Sequence, residues 1–283
     1  MIILKNDFAK ASISAVGAEL KSLTVDGTEF IWQGDPSVWK FSAPMVFPIC
    51  GMLKDGKFIY KGKEYFLEKH GFARMESFDV ISAAPDAVTF RLASSDALKA
   101  SYPFDFELRV IYTLKGRTLS VKYEVENKGE DTMYFSIGSH EAYSTPEGIE
   151  NYELVFDKPV SLLSTVIDDA LTTDATVPFI ENSESFALCE RDLDDGAIVF
   201  RGVPERSVTL RQKDGARSVR VDFPDMKNML IWHVSGAPYI CIEPWSGMPD
   251  SNLTDGRIEN KLDITALLPA QIYKNEHKIT FNV

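Results

Sequence analysis

The sequence DFELRVIYTLKGRTLSVKYEVEN (residues 105–127) decides the fold class, because apolar residues occupy every second position on both sides of a Lys-Gly-Arg turn. The apolar positions are even-numbered before the turn and odd-numbered after it. Such a period of two is typical of a β-strand that has one face in a core and the other toward water. The stretch therefore predicts a β-hairpin with one buried and one solvated face.

The same pattern recurs along the chain. Turn signals at Asp26-Gly27, Lys61-Gly62 and Lys213-Asp214-Gly215 each lie between short segments that are rich in β-branched or aromatic residues. Short loops of this composition are typical of hairpins between antiparallel strands. Three further hairpins are therefore predicted.

Helical periodicity is scarce. Only SDALKASY (residues 95–102) and LDITALL (residues 262–268) are predicted to form helical turns. No repeat, low-complexity tract or Pro/Gly/Ser-rich linker divides the chain, and β-sandwiches of this size are often one domain. The sequence therefore predicts an all-β fold, a large antiparallel β-sandwich, as a single domain over residues 1–283.

The charge balance excludes some partners. The chain has 30 Lys and Arg against 42 Asp and Glu, a net charge of −12, and no run of basic residues. Nothing in it would neutralise the phosphates of a nucleic acid, so we expect no nucleic-acid partner. No apolar run approaches the roughly 18 residues that cross a bilayer, so we expect no membrane partner. The balance suits a neutral small-molecule substrate.

The cysteines indicate a compartment. Cys50, Cys189 and Cys241 are odd in number, far apart and without a CxxC pair, which is typical of reduced thiols in a cytosol. The apolar run before Lys5 is too short for a signal peptide. We therefore expect a cytoplasmic protein, and the sequence leaves open whether it forms a homodimer.

Two of the four histidines are candidates for catalysis. His140 lies in IGSHEAY and His70 opens HGFAR, and both follow strand-like patterns. A lone histidine at a strand end is more often a hydrogen-bonded structural group, so structural and catalytic hypotheses both stay open. Gly138 favours function at His140, because a glycine lets a ligand or another chain approach the backbone.

Glu243 ends the apolar run of APYICIEPWSG and precedes Pro244 and Trp245. A carboxyl group in this position is predicted to be partly buried beside an aromatic ring. Burial without a partner raises the pKa of a carboxyl group, and such burial is costly. A glutamate that forms a salt bridge or caps a turn is the competing structural hypothesis.

The spacing of the candidate residues does not favour a metal site. His70, His140 and Glu243 could form a two-histidine, one-carboxylate site. Such sites usually take two ligands that are close in sequence, whereas these residues are about 70 and 100 positions apart. No GxSxG, GxGxxG or P-loop motif is present either. We therefore expect no metal and no cofactor.

Three segments together carry a family resemblance. APMVFPICGMLKDGKFIYKGKEYFLEKHGFAR, SIGSHEAY and CIEPWSGMPD, in this order and spacing, resemble the diagnostic segments of the aldose 1-epimerase (galactose mutarotase) superfamily, specifically its LacX-like branch. The resemblance covers nearly the whole chain. It implies the galactose mutarotase-like supersandwich, with a sugar bound in a cleft on one sheet.

The resemblance also implies roles for three side chains. His140 matches the general acid for the sugar ring oxygen, Glu243 the general base for the anomeric hydroxyl, and His70 a second histidine near the same oxygen. Many relatives have Gly-Arg where this chain has Gly51-Met52. Arg74 is the candidate replacement for that sugar-binding arginine. A further family carboxylate would correspond to Asp194 or Asp195.

An apolar platform beneath the sugar ring would need aromatic side chains. Trp232, Trp245 and Phe72 are candidates, with ordinary core packing as the alternative for each. His233 directly follows Trp232 and so points to the opposite face of its strand, which favours a structural role. His277 lies among charged residues and is expected to be solvated.

The resulting hypothesis is an aldose 1-epimerase that interconverts the α and β anomers of a hexose or related aldose. The first alternative is a non-catalytic carbohydrate-binding protein on the same fold. The second is a hexose-6-phosphate 1-epimerase, which would need a cationic cluster for the phosphate. We expect no such cluster near the motifs.

Overall fold

The computed structural model describes residues 1–194 and 196–283, and nearly all of the regular structure in them is β. The strands are β1 (Ile2–Lys5), β2 (Ala9–Ile13), β3 (Leu20–Val25), β4 (Thr28–Glu29), β5 (Lys57–Tyr60), β6 (Lys63–Phe66), β7 (Asp79–Ala84), β8 (Ala87–Ala93), β9 (Phe106–Lys115), β10 (Thr118–Asn127), β11 (Met133–Phe135), β12 (Glu141–Ser144), β13 (Tyr152–Asp168), β14 (Leu171–Ala187), β15 (Ile198–Phe200), β16 (Ser207–Gln212), β17 (Ser218–Asp222), β18 (Asn228–Trp232), β19 (Tyr239–Trp245), β20 (Thr265–Leu267) and β21 (Ile272–Asn282). The helices are α1 (Asp96–Lys99) and the 3-10 turns Lys54–Gly56, Ala73–Met75, Ile149–Asn151, Glu190–Leu193 and Ile258–Asn260. None of the helices in the described residues is long and apolar enough to span a membrane.

The predicted central hairpin is confirmed. Strands β9 and β10 pair antiparallel from Phe106 opposite Asn127 to Lys115 opposite Thr118. The even-numbered residues of β9 and the odd-numbered residues of β10 are buried. Their outward neighbours carry charges that pair with one another, such as Arg109 with Glu107. The alternation in the sequence therefore corresponds to a core face and a charged face.

This hairpin lies within a 13-stranded sheet of order β12-β19-β18-β15-β13-β16-β17-β21-β10-β9-β8-β7, with β14 paired to β13. A four-stranded sheet, β1-β2-β3-β4, packs against it, because apolar side chains of both sheets belong to one core cluster. The hydroxyl of Tyr112 in β9 donates to the carbonyl of Ala18 at 2.8 Å and ties the two layers together. The predicted large antiparallel β-sandwich is thus confirmed.

The smaller elements mostly agree with the sequence. All three further hairpins form, as β3–β4, β5–β6 and β16–β17, and α1 lies within the predicted helical turn at residues 95–102. The predicted helical turn at residues 262–268 is wrong. Residues Thr265–Leu267 form strand β20, which pairs with β11. An extended segment there provides hydrogen-bond partners for the backbone N–H and C=O groups of β11.

Strands β12, β19 and β18 form one end of the large sheet. The outer edge of β12 is closed by the segment 30–46. The N–H of Trp32 donates to the Ala142 carbonyl, the N–H of Ala142 to the Ser42 carbonyl, and the N–H of Ser144 to the Phe30 carbonyl, each at 2.9 Å. This end of the sheet therefore has paired backbone groups on both sides, which holds its side chains in fixed positions.

Candidate active site

A cavity of about 430 Å³ opens on the face of β12, β18 and β19 that points away from the main core. Its walls are aromatic and aliphatic, with a few ionisable groups. It is lined by Trp39, Gly51, Lys69, His70, Arg74, His140, Ile167, Ala170, Gly196, Ala197, Val199, Leu230, Trp232, Val234, Glu243, Trp245 and Pro249. Six of the residues predicted for the site from the sequence therefore line one cavity: His70, Arg74, His140, Trp232, Glu243 and Trp245.

A second, larger depression of about 620 Å³ lies elsewhere, beside β13 and β14. Threonine, serine and aspartate side chains dominate its lining, which includes no histidine among the described residues. Apolar walls with a few convergent titratable groups are typical of small-molecule sites. The smaller cavity is therefore the candidate active site.

Alternation along β19 directs Glu243 into this cavity. Ile240 and Ile242 belong to the main core, whereas Cys241 and Trp245 lie in separate clusters on the opposite face. Since side chains on a strand point alternately to the two faces, Glu243 shares the face of Cys241 and Trp245. The alternation along β19 therefore places the carboxyl group of Glu243 on the face that lines the cavity.

Strand pairing then sets His140 opposite Glu243. In the β12–β19 register Glu141 faces Ile242. The N–H of Ser139 donates to the Pro244 carbonyl at 3.1 Å, which continues the same register beyond the end of β12. Directly opposite residues on antiparallel strands have neighbouring side chains. Accordingly, Nε2 of His140 lies 3.3 Å from Oε2 of Glu243, and both side chains are buried.

His70 approaches the pair from a loop. Its backbone adopts φ = 69°, in the left-handed region that few non-glycine residues occupy. The loop is held by two contacts with Gly51: the His70 N–H donates to the Gly51 carbonyl at 2.8 Å, and the Gly51 N–H donates to Nδ1 of His70 at 3.3 Å. Because Nδ1 accepts, the neutral ring carries its proton on Nε2. The ring stands nearly perpendicular to that of His140, with centroids 5.4 Å apart.

Trp245 forms one wall of the cavity, and a hydrogen bond and a close packing contact fix the position of its ring. Its indole Nε1–H donates to the Ser139 carbonyl at 3.0 Å. The ring also lies against Gly138, where an added Cβ would stand 2.4 Å from Cδ1 of the indole. The close approach predicted at Gly138 is thus made by a tryptophan of the same chain.

Two further tryptophans surround the imidazole of His140. The centroid of Trp232 lies 5.5 Å from it with the rings nearly perpendicular, and that of Trp39 lies 5.1 Å away. Trp39 was missed in the sequence. It belongs to the segment 30–46, which reaches the cavity only through long-range pairing, and no local pattern marks it.

Burial sets the protonation of the central pair. Removal from water, followed by the charge of Lys69, lowers the pKa of His140 to about 3. Burial raises the pKa of Glu243 well above its usual value. Burial, with smaller contributions from His140 and Lys69, also lowers the pKa of His70. Burial thus disfavours the charged form of each group, so the state in which the His140–Glu243 pair shares one proton is favoured over the states with two protons or none.

Cationic groups do line this cavity, so the expectation of none near the motifs is wrong. Lys69 and Arg74 both contribute to its walls. Both belong to the segment KHGFAR, where the loop that presents His70 also turns these two side chains toward the cavity. Arg74 was predicted for the site as a sugar-binding residue, whereas Lys69 was not, because the loop conformation that brings the two together is not visible in the sequence.

A metal ion would find a different trio from the one considered in the sequence. Ligand atoms of His140, Cys241 and Glu243 lie within 4.8 Å of one another, with Cys241 in the place expected for His70. Burial raises the pKa values of the Cys241 thiol and of the Glu243 carboxyl group. A metal ion would have to displace both protons in order to bind there.

Other sequence expectations can be placed. Phe72 packs against the core at Phe47, 6.1 Å between centroids, and not against the cavity. Nε2 of His233 lies 3.2 Å from Glu190, in keeping with the predicted structural role. Asp194 is exposed and absent from the cavity lining, and Asp195 lies outside the described residues.

The expectation of a solvated His277 is wrong. The side chain is fully buried, and its Nε2 lies 3.0 Å from Oε1 of Glu141. Residues 275, 277, 279 and 281 of β21 all point inward, so the histidine follows the alternation of its strand and not its charged neighbours.

Comparison with known proteins agrees with this architecture. The aldose 1-epimerase family model matches residues 1–257. Protein LacX of Lactococcus lactis subsp. lactis is 36% identical, over 99% of this chain and 98% of that protein.

Solved structures give the same result. A galactose mutarotase related enzyme from Lactobacillus acidophilus superposes with a TM-score of 0.95 at 31% identity, over 99% of this chain and 97% of that one. A galactose mutarotase-like protein from Lactobacillus casei ATCC 334 superposes with a TM-score of 0.94 at 29% identity, over 99% of each chain. The chain therefore belongs to the aldose 1-epimerase family, in its LacX-like branch, and is an isomerase of the mutarotase type.

Proposed function

We propose that this protein is an aldose 1-epimerase that interconverts the α and β anomers of a hexose or related aldose by general acid-base catalysis. The observation that carries the proposal is the contact between His140 and Glu243, whose reactive atoms lie 3.3 Å apart inside the cavity. A sugar-sized cavity with apolar walls surrounds this pair.

The chemistry requires neighbouring acid and base. Ring opening removes the proton of the C1 hydroxyl group and delivers a proton to the ring oxygen. Both oxygens are bonded to C1, so the groups that serve them must be close together. Glu243 is the base for the anomeric hydroxyl, His140 is the acid for the ring oxygen, and the Nε2–H of His70 donates a hydrogen bond near the same oxygen.

The proton transfers of ring opening can be reversed in ring closure, because the His140–Glu243 pair holds the same number of protons before and after each step. In the reactive form Glu243 is ionised and His140 is protonated. Ring opening moves one proton onto Glu243 and another from His140 to the sugar, which leaves the total on the pair unchanged. The aldehyde rotates about the C1–C2 bond, and reclosure on the other face reverses both transfers. Each group contributes about 10² to 10⁴-fold to the rate.

The remaining predicted residues hold the sugar. Trp245 and Trp232 offer apolar surface to the C–H face of the ring, and Arg74 offers donors to its oxygen atoms. The scheme needs neither a metal ion nor a nucleotide cofactor. We also propose a cytoplasmic location, which the free thiols of Cys50, Cys189 and Cys241 support.

Polarimetry tests the proposal. The substrates are freshly dissolved α-glucose, α-galactose and α-xylose, together with the 6-phosphates of the two hexoses. At least one of these sugars should reach anomeric equilibrium faster with the protein than in buffer. A carbohydrate-binding protein without catalysis would bind a sugar in calorimetry and leave the buffer rate unchanged. That result would contradict the proposal.

A further inference from the structure

The cavity carries two cations that form no ion pair with any carboxylate in residues 1–194 and 196–283. Lys69 and Arg74, here called the cationic rim, both line it. Within the described residues, no carboxylate oxygen lies within 4.0 Å of the Lys69 ammonium or the Arg74 guanidinium group. Cations elsewhere on the surface commonly do have such partners, for example Arg220 with Asp157 and Lys227 with Asp263.

Arg74 is held by direct contacts with uncharged groups, and the charge of Glu68 acts on it only from a longer distance. Its Nη2 donates to the backbone carbonyl of Lys69 at 2.8 Å, and its guanidinium group lies 5.2 Å from the centroid of Phe41. Its Nε is buried and makes no hydrogen bond with the described residues. A carbonyl and an aromatic face orient a guanidinium group without neutralising it. Nη1 makes no hydrogen bond with the described residues either, so this nitrogen remains as a donor for a ligand.

The rest of the lining does not balance this charge. Among the residues that the structure describes, Glu243 is the single acid in the lining, and it shares a proton with His140. The rim therefore makes the cavity a local positive site in a chain whose net charge is −12. A cleft with charge of one sign and low-dielectric walls concentrates ligands of the opposite sign.

We propose that the preferred substrate is an aldose that carries an anionic group away from its anomeric carbon, a phosphate ester or a carboxylate, and that Lys69 and Arg74 bind this group. The inference rests on the proposed function. A guanidinium group forms paired hydrogen bonds with two oxygen atoms of either anion, and an ammonium group adds a second charge. A neutral sugar would leave both charges without a counterion.

The test compares matched sugars on the wild-type protein. Anomerisation of glucose, glucose 6-phosphate and glucuronate, and of galactose, galactose 6-phosphate and galacturonate, is followed by NMR. We expect kcat/KM for at least one anionic form to exceed that of its neutral parent by about 10-fold or more, as expected for charged hydrogen bonds. The two anionic series separate phosphate from carboxylate. Added salt should reduce the advantage.

Variants locate the effect. Lys69→Met and Arg74→Met should each lower kcat/KM for the preferred anionic aldose by about 10-fold or more, and by a larger factor than for the neutral parent. Lys40→Met is the matched control, because Lys40 packs its ammonium group 5.1 Å from the same Phe41 ring but does not line the cavity. The control should leave the ratio of anionic to neutral substrate unchanged.

The outcomes separate this inference from the proposed function. Equal kcat/KM values for neutral and anionic aldoses, with clear catalysis of both, would overturn the inference and leave the epimerase intact. Equal losses for both substrates in Lys69→Met would also overturn it, since the charge would then act on proton transfer. Buffer rates for every sugar would contradict the proposed function itself.

Discussion

His140 and Glu243 stand directly opposite each other on adjacent antiparallel strands, with Nε2 of the imidazole 3.3 Å from Oε2 of the carboxyl group. The two residues are remote in sequence, and strand pairing alone brings them together. Their contact supplies what an anomerisation needs, namely a donor and an acceptor beside one carbon atom. The following expectations derive from this contact and from the packing around it.

Removal of either partner should stop the reaction and leave the fold intact. We expect His140→Asn and Glu243→Gln each to reduce the anomerisation rate by at least about 100-fold, because one of two proton transfers loses its group. Far-UV circular dichroism checks the fold. His233→Asn is the matched control, since this buried histidine lies outside the cavity lining. Near-normal rates for the His140 or Glu243 variant would refute the assigned roles.

The pH profile should be displaced from that of an ordinary histidine. Catalysis requires the pair to hold one proton. The pair gains a second proton only near the pKa of His140, which burial lowers from 6.5 to about 3. It loses its last proton only well above 4.5, the usual value for a glutamate, because burial raises the pKa of Glu243. We therefore expect the acidic limb of kcat/KM to have its midpoint far below 6.5, toward the lowered pKa of His140.

The measurement for this profile is kcat/KM by NMR, with the buffer-catalysed rate subtracted at each pH. Circular dichroism at the same pH values monitors folding. A midpoint near 6.5 on the acidic side would show a solvated imidazole and would contradict the buried pair.

A methyl group at position 138 should damage both stability and activity. The added Cβ of Gly138→Ala would lie 2.4 Å from the Trp245 ring and 2.8 Å from the Pro244 carbonyl oxygen. We expect the free energy of unfolding to fall by about 1–3 kcal/mol, as in overpacked cores, and the anomerisation rate to fall because a cavity wall moves. Urea denaturation measures the first effect.

Gly129→Ala provides the comparison, because the nearest atom to its new Cβ would be 3.4 Å away, an ordinary contact. Its unfolding free energy should change by less than about 0.5 kcal/mol. Similar losses in the two variants would mean that the contact with Trp245 is not responsible.

The contributions of His277 and Glu141 to the free energy of unfolding should be coupled, because the two buried side chains contact each other. In His277→Phe the carboxyl group of Glu141 loses its partner inside the sandwich, and we expect a loss of about 1–3 kcal/mol or more in the free energy of unfolding. Adding Glu141→Met should recover most of it, because no unsatisfied polar group then remains. Additive losses in the double variant would refute the coupling.

The fold could be predicted from the sequence because its signal is local. Residues 105–127 show both faces of a hairpin in their alternation, and the turn dipeptides mark where strands reverse. The same local signal was present in β21, where Ile279 and Phe281 share the parity of His277. The charged residues beside His277 led to the wrong expectation of solvation, because their side chains point to the other face.

The site could be predicted only in part. His140, His70 and Glu243 stand in segments that resemble a known family, so they were found without knowledge of distances. Trp39 was not predicted, because its position depends on the pairing of the segment 30–46 with the edge of β12, and the sequence does not show which strand this segment pairs with. The charge of the rim depended on the conformation of the loop at Lys69, which long-range contacts determine. Side chains brought together by pairing across more than 100 residues leave no pattern in a single sequence.

His140 and Glu141 are consecutive, yet one faces the cavity and the other meets His277 across the interior of the sandwich. A shift of one residue in the ladder between β12 and β19 would exchange them, and two carboxyl groups would then face the sugar without the imidazole of His140. Single-residue insertions or deletions in residues 137–144 should therefore be incompatible with anomerisation, whereas changes of two residues would keep each side chain on its own side. In this strand the parity of the chain is as important to the reaction as the identity of its residues.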